Sequence, residues 1–231
     1  MINGKKVLAI TLARGGSKGI HKKNIVPLKE NPLIYYTIKE VFKSKYVDDY
    51  IVATDDAEIK SVCLGYGCKV FDRQYVDDKQ TSANGLLEVV NTLEPYDYIV
   101  EVMCTNPLKT HHDLDTIIEL LDENQGVSVT SVVRVFDNHP TRIKFIENGY
   151  LKGFHPTENP DLPGFRRQDL EPPAYVRNGS FYAMTHYQIT TTGLRLGETV
   201  IPYIMDSNKS VNIDEPIDLI TAESLLGNEN K

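Results

Sequence analysis

The sequence predicts an α/β fold, a mostly parallel sheet with helices on both faces, built as one domain over residues 1–231. Short apolar runs rich in β-branched residues alternate with helix-period patterns, the mark of strands joined by crossover helices. The first run passes directly into a loop of glycines and cations, as a buried strand does when it delivers a ligand-binding turn. A chain of 231 residues with 41% apolar content is also long enough to bury one large core.

Residues 5–13 open the sheet. Val7, Leu8, Ala9, Ile10 and Leu12 form a nearly continuous apolar run, which suits a strand buried on both faces. Further strands are expected near 50–54, 68–71, 97–104 and 127–134, with helices near 32–44, 56–65, 83–93 and 112–123. Asp55 and Asp56 end one strand, and capping of the 56–65 helix is their expected role. In the fourth helix Leu114, Ile117, Ile118 and Leu121 make an apolar stripe, Asp113 is the expected N-cap, and His111 and His112 mark the start.

The pattern breaks over residues 138–175, a stretch rich in Pro, Gly, His and Arg that reads as an insertion. Within it, Ile143 to Phe145 and Tyr150 to Phe154 form a hairpin around Asn148-Gly149. Ser180 to Met184 returns the chain to the sheet, and a last helix is expected near 215–226.

The loop from Leu12 to Asn24 carries the chemistry. Gly15, Gly16 and Gly19 let backbone N–H groups close on an anion, and Arg14, Lys18, Lys22 and Lys23 supply positive charge. A P-loop requires G-x-x-x-x-G-K-[ST], and here Lys18 precedes Gly19, so that motif is excluded. The dinucleotide fingerprint G-x-G-x-x-G has a different glycine spacing. A cationic loop of this kind suits a triphosphate.

The formal charge of −7 argues against general nucleic-acid binding, so the loop is a local positive site on an acidic body. Three cysteines without C-x-x-C spacing suggest reduced thiols in a cytoplasmic protein, with Cys63 and Cys68 as core fillers. No apolar run approaches the ~18 residues that span a bilayer, and no membrane partner is expected.

The stretch LARGGSKGIHKKNI resembles the nucleotide-binding signature of the acylneuraminate cytidylyltransferases, or CMP-sialic acid synthetases. The resemblance continues through Ala53-Thr54-Asp55-Asp56-Ala57-Glu58-Ile59, Thr105-Asn106-Pro107-Leu108-Lys109-Thr110, Arg166-Arg167-Gln168-Asp169-Leu170, Val176-Arg177-Asn178-Gly179-Ser180-Phe181-Tyr182 and Val211-Asn212-Ile213-Asp214. It implies a Rossmann-like fold of nucleotidyltransferase type. It also implies transfer of CMP from CTP to the anomeric hydroxyl of a nonulosonic acid of the sialic, legionaminic or pseudaminic type, with loss of pyrophosphate. Such a step asks a protein mainly for positioning and charge neutralisation.

On this resemblance Arg14, Gly15, Gly16, Ser17, Lys18, Lys23 and Asn24 hold the nucleotide, Arg14 and Lys18 stabilise departing pyrophosphate, and Arg73 and Ser82 reach the base. Lys22 is either a contact or a solvated lysine, and Arg73 has a second reading as a surface arginine paired with Asp77 or Asp78. Asp214 is the expected magnesium ligand. Its partner in the family is an acid two residues earlier, where this chain has Asn212, and residues i and i+2 of a strand face the same way. Asp218 is a substitute.

For the acid sugar, Met103 replaces a glutamine of the family and makes the pocket more apolar there. Arg166 is the expected carboxylate partner, or else an inter-subunit salt bridge. Tyr182 packs on the sugar or fills the core. The resemblance further implies a homodimer meeting through residues 138–175. A transferase for a different sugar and a non-catalytic relative are the alternative functions.

Overall fold

The computed structural model describes residues 1–17, 19–74, 80–154 and 166–227. Its elements in chain order are β1 (Val7–Leu12), a small hairpin of β2 (Pro27–Leu28) and β3 (Asn31–Pro32), α1 (Leu33–Val41), β4 (Asp49–Thr54), α2 (Ala57–Gly65) and β5 (Lys69–Asp72). There follow α3 (Ser82–Val90), β6 (Tyr98–Val102), α4 (His111–Glu123), β7 (Val129–Val135), β8 (Lys144–Glu147), β9 (Tyr150–Gly153), β10 (Ala174–Thr185), α5 (His186–Thr192), β11 (Ile201–Ile204) and α6 (Pro216–Leu226).

Seven strands form the main sheet in the order β11-β7-β10-β6-β1-β4-β5. β1 lies parallel to both β4 and β6, so the apolar run of residues 7–12 is central, as its lack of polar alternation requires. β10 is the antiparallel member, wedged between β6 and β7. Its direction brings the segment before Phe181 to the same edge as the carboxyl ends of β1, β4 and β6, where a ligand site of an open α/β sheet belongs.

Side-chain alternation sends each strand into two layers. On one face Val7, Val52, Val100 and Val102 pack under α1, α2 and α4 through Ile34, Ile38, Ile59, Leu114 and Ile117. On the other, Leu8, Ile10 and Ile99 meet Leu86 and Val89 of α3 and Ile189 of α5. Burial of each such side chain contributes about 1.5–3 kcal/mol, so the two layers supply most of the cohesion. A third cluster joins Leu28, Leu33 and Ile213 to Ala222 of α6, which anchors the strip carrying Asp214 beside the loop after β1.

Two local expectations, the cap of α4 and the extent of β10, are corrected, and two others are met. The N-cap of α4 is Thr110, whose hydroxyl accepts from the Asp113 N–H, and Asp113 lies inside the first turn with its carboxylate returning to the Thr110 N–H. This is a capping box, and the reciprocal bonds satisfy two N–H groups where one cap would satisfy one. Asp56 does cap α2, accepting from Glu58 and Ile59. The 143–154 hairpin is present as β8 and β9, with Asn148 and Gly149 at φ 53° and 81°, the left-handed pair that a two-residue turn needs. β10 runs twelve residues where the sequence marks only 180–184, because a register shift between Arg177 and Tyr182 hides its period.

Candidate active site

The loop after β1 is held by close approaches that side chains would block. A Cβ on Gly15 would stand 2.7 Å from the Asp56 carboxylate, and one on Gly19 would stand 2.5 Å from the Asp214 carbonyl oxygen. The Gly15 N–H donates to Asp55 at 2.9 Å, so Asp55 fixes the loop while Asp56 caps α2. Asn24 is buried, donates to the Arg14 carbonyl at 2.9 Å and accepts from the Cys104 thiol at 3.0 Å. It therefore closes the loop on itself and ties it to the end of β6. Lys18 lies outside the described residues, as do Asp77 and Asp78.

A cleft of about 570 Å³ opens where this loop, the end of β6, the start of α3 and the strip before α6 meet. Arg14, Ser17, Lys23 and Asn24 line it from the loop and Ser82 and Met103 from α3 and the end of β6, with Asp214 exposed at its mouth and Arg73 buried in its deeper part. Positions from four distant stretches of chain thus converge. Lys23 bonds the Asp214 carboxylate at 2.8 Å across the mouth, and the other Asp214 oxygen accepts from the Asn212 amide at 2.5 Å. Lys22 turns away and pairs with Glu58.

The family model described as cytidylyltransferase matches residues 8–146. The chain belongs to the cytidylyltransferase family. It is 34% identical over 221 residues to N-acylneuraminate cytidylyltransferase A of Danio rerio, covering 95% of this chain and 50% of that protein. It is 35% identical over 191 residues to the pseudaminic acid cytidylyltransferase of Campylobacter jejuni subsp. jejuni serotype O:23/36 (strain 81-176), covering 77% of each. The chain spans about half the length of the N-acylneuraminate cytidylyltransferases it matches. Its fold is that of a CMP:2-keto-3-deoxy-manno-octonic acid synthetase solved with CTP, at a TM-score of 0.74 and 17% identity over 97% of this chain and 99% of the other.

Within this family member, three residues expected near the sugar or metal are placed differently from the cleft lining. Tyr182 is buried in the core layer, with the Arg195 guanidinium 3.9 Å above its ring. Arg166 is 76% exposed and paired with Asp169 at 2.7 Å, away from the cleft. Asn212 directs its nitrogen to Asp214, and its amide oxygen is buried with no hydrogen-bond partner. Arg73 is buried, and it pairs with Glu88 at 2.9 Å and Gln80 at 2.8 Å.

Sequence reasoning missed two charged residues beneath the cleft. Glu101 on β6 is buried and bonded to Arg195 at 2.6 Å. Lys109 is buried with its ammonium on Thr37 at 2.6 Å and on the Met103 and Asn106 carbonyls at 2.7 and 2.6 Å. Burial pushes its pKa down to about 7. Its role is to hold the turn after β6, which carries Met103, Cys104 and Thr105 into the cleft.

The donor set at the mouth fits magnesium. Among the described residues no three His, Cys, Asp or Glu side chains cluster to hold a metal by themselves. Magnesium typically takes one or two carboxylates and completes its shell with phosphate oxygens and water. Asp214 offers one carboxylate, and half a turn of the Asn212 amide would set its orphaned oxygen beside it.

Proposed function

We propose that this chain transfers CMP from CTP to the anomeric hydroxyl of a nonulosonic acid of the sialic, legionaminic or pseudaminic type. The convergence of Arg14, Lys23 and Asp214 on the mouth of one cleft carries the reading, supported by the family and by the names of the relatives.

The hydroxyl oxygen bonds to the α-phosphorus, the bond to the β-phosphate oxygen breaks, the hydroxyl proton leaves to solvent, and pyrophosphate departs. Arg14, Lys18 and Lys23 hold the triphosphate and stabilise the charge that grows on the leaving group. Gly15, Gly16 and Ser17 let the backbone come close to its path, and Asn24 keeps the loop closed. Magnesium, when bound, neutralises phosphate charge, and Asp214 with Asn212 holds it. Binding of the nucleotide and metal separates Lys23 from Asp214, giving each a partner of opposite charge. Arg73 and Ser82 face the base, and Met103 borders the sugar.

Arg166 takes the sugar carboxylate once a second subunit brings it to a cleft. The exposed apolar side chains Ile146, Tyr150, Leu151 and Phe154 on β8, β9 and the residue after them support a homodimer formed by the 138–175 insertion of one domain. No helix among the described residues is long and apolar enough to cross a membrane. Three free buried cysteines and a nucleotide substrate suit a cytoplasmic enzyme.

Pyrophosphate release with CTP and magnesium, measured against a panel of acid sugars, tests the reading. Release is expected only when an acid sugar is present. Turnover with a neutral sugar phosphate in place of every acid sugar would overturn the acceptor assignment.

A further inference from the structure

β6 reads Tyr98-Ile99-Val100-Glu101-Val102, and all five residues are buried. Glu101 is the only acid among them. It is 2% exposed yet lines the deep part of the cleft. Arg195, from the turn after α5, donates to one carboxylate oxygen at 2.6 Å. The ring of Tyr182, which stands opposite Glu101 in the β6–β10 register, supports that guanidinium from below. A buried ion pair rarely improves stability over a well-packed apolar pair, so its retention asks for another reason.

The same deep part contains a donor of opposite character. A Cβ on Gly85 would meet Leu12 at 3.0 Å and the Arg73 guanidinium at 3.1 Å, so Arg73 lies against α3 beside Leu12. The space is therefore bordered by an apolar side chain, a guanidinium that only donates and a carboxylate that, ionised, only accepts. Cytosine shows the matching edge: an exocyclic amine that donates, next to ring N3 and O2, which accept. Uracil carries an acceptor in place of the amine and a donor at N3.

Resting on the cytidylyltransferase reading above, we propose that Glu101 selects the base by accepting from the cytosine amine, with Arg195 and Tyr182 holding its carboxylate ionised and aimed. A base with an oxygen in that place sets acceptor against acceptor. Burial pushes the Glu101 carboxyl above its ordinary value and Arg195 opposes that push, which is why the arginine belongs to the device.

The test uses the whole chain and nucleotide binding by calorimetry without any sugar, so it does not depend on turnover. CTP, UTP and the triphosphate of the pyrimidin-2-one ribonucleoside, which lacks only the amine, are compared. Wild type is expected to bind CTP about 10- to 100-fold more tightly than either, the scale of one well-placed base contact. Glu101→Gln, and the charge-balanced pair Glu101→Gln with Arg195→Gln, are expected to reduce that ratio at least fivefold while the melting transition is kept. Equal wild-type binding of CTP and the amine-free analogue would overturn the assignment whether or not the variants fold. So would variants that keep the ratio and lose only KM for the sugar. Failure of wild type to turn over any acid sugar, with the binding ratio intact, would instead overturn the proposed acceptor.

Discussion

Replacement of Asp214 by Asn separates stability from catalysis. The carboxylate is 65% exposed, bonded to Lys23 at 2.8 Å and to the Asn212 amide. An ion pair so open to water contributes about 0.2–1 kcal/mol, so the melting temperature should fall by no more than about 2–4 °C for a chain of this size. If Asp214 holds the metal, turnover should fall by at least about 10²-fold, the scale for loss of one preorganised charge stabiliser. The reverse change, Asn212→Asp, places a second carboxylate beside the first. Two charges about 4 Å apart repel by about 1 kcal/mol in water and about 4 kcal/mol at an effective dielectric of 20, and the exposure of Asp214 sets this pair near the lower figure. Without magnesium the variant should melt slightly below wild type. With magnesium it should gain more, remain active and reach half its maximal rate at a lower metal concentration. Rate and melting temperature titrated against magnesium for both variants provide the assay. An active Asp214→Asn enzyme would refute the metal assignment. An unchanged magnesium requirement in Asn212→Asp would put residue 212 outside the coordination sphere. Asp218 would then be the next ligand to test, although it already caps α6 by accepting from the Asp214 and Glu215 N–H groups.

Lys18→Ala should lower turnover by about 10²-fold with an unchanged melting transition, since an anion contact in a loop contributes little to the core; normal activity in the folded variant would remove the loop lysine from the chemistry. Gly19→Ala should abolish nucleotide binding by forcing the loop away from the Asp214 carbonyl, 2.5 Å from the new Cβ, as CTP calorimetry would show. Lys109 binds fewer protons folded than unfolded between its buried pKa of about 7 and its ordinary value of 10.5, so its contribution to stability grows as pH rises through that window. The unfolding free-energy gap between wild type and Lys109→Met should therefore widen from pH 7 to pH 9, by up to ~1.4 kcal/mol per unit, and a gap that stays flat in denaturant titrations would mean the three oxygens around the ammonium keep it charged. If the proposed homodimer forms through the 138–175 insertion, wild type should sediment as a dimer and Leu151→Asp as a monomer; a monomeric wild type, or a dimer unaffected by the change, would refute that interface.

The alternation of buried runs and helical patterns made the α/β class and most elements legible, because strand and helix periods are local properties. Four were not: the two-residue strands β2 and β3, too short to show a period, and α5 and β11. α5 contains Thr190, Thr191 and Thr192, poor helix formers, and it is held by packing of Ile189 against the core. β11 carries Pro202, which reads against a strand and is tolerated because β11 is the sheet edge. The loop after β1 announced itself through its glycines and cations, and Asp214 and Arg73 through their motifs. Their meeting in one cleft depended on strand order, which pairs β1 with β4 and β6 and turns β10 back between β6 and β7. The sequence by itself determined the layers, the glycine- and cation-rich loop after β1 and the family. Only the tertiary structure decided which charges face one another. Glu101 reads as an interruption in an apolar strand until Arg195, 94 residues later, supplies the partner that makes its burial possible. Tyr182 and Arg166 stand in family-like motifs, but packing against Arg195 and pairing with Asp169 govern where their side chains lie. Local sequence carries periodicity and turn chemistry, whereas charge compensation in a buried site is settled by contacts between distant segments.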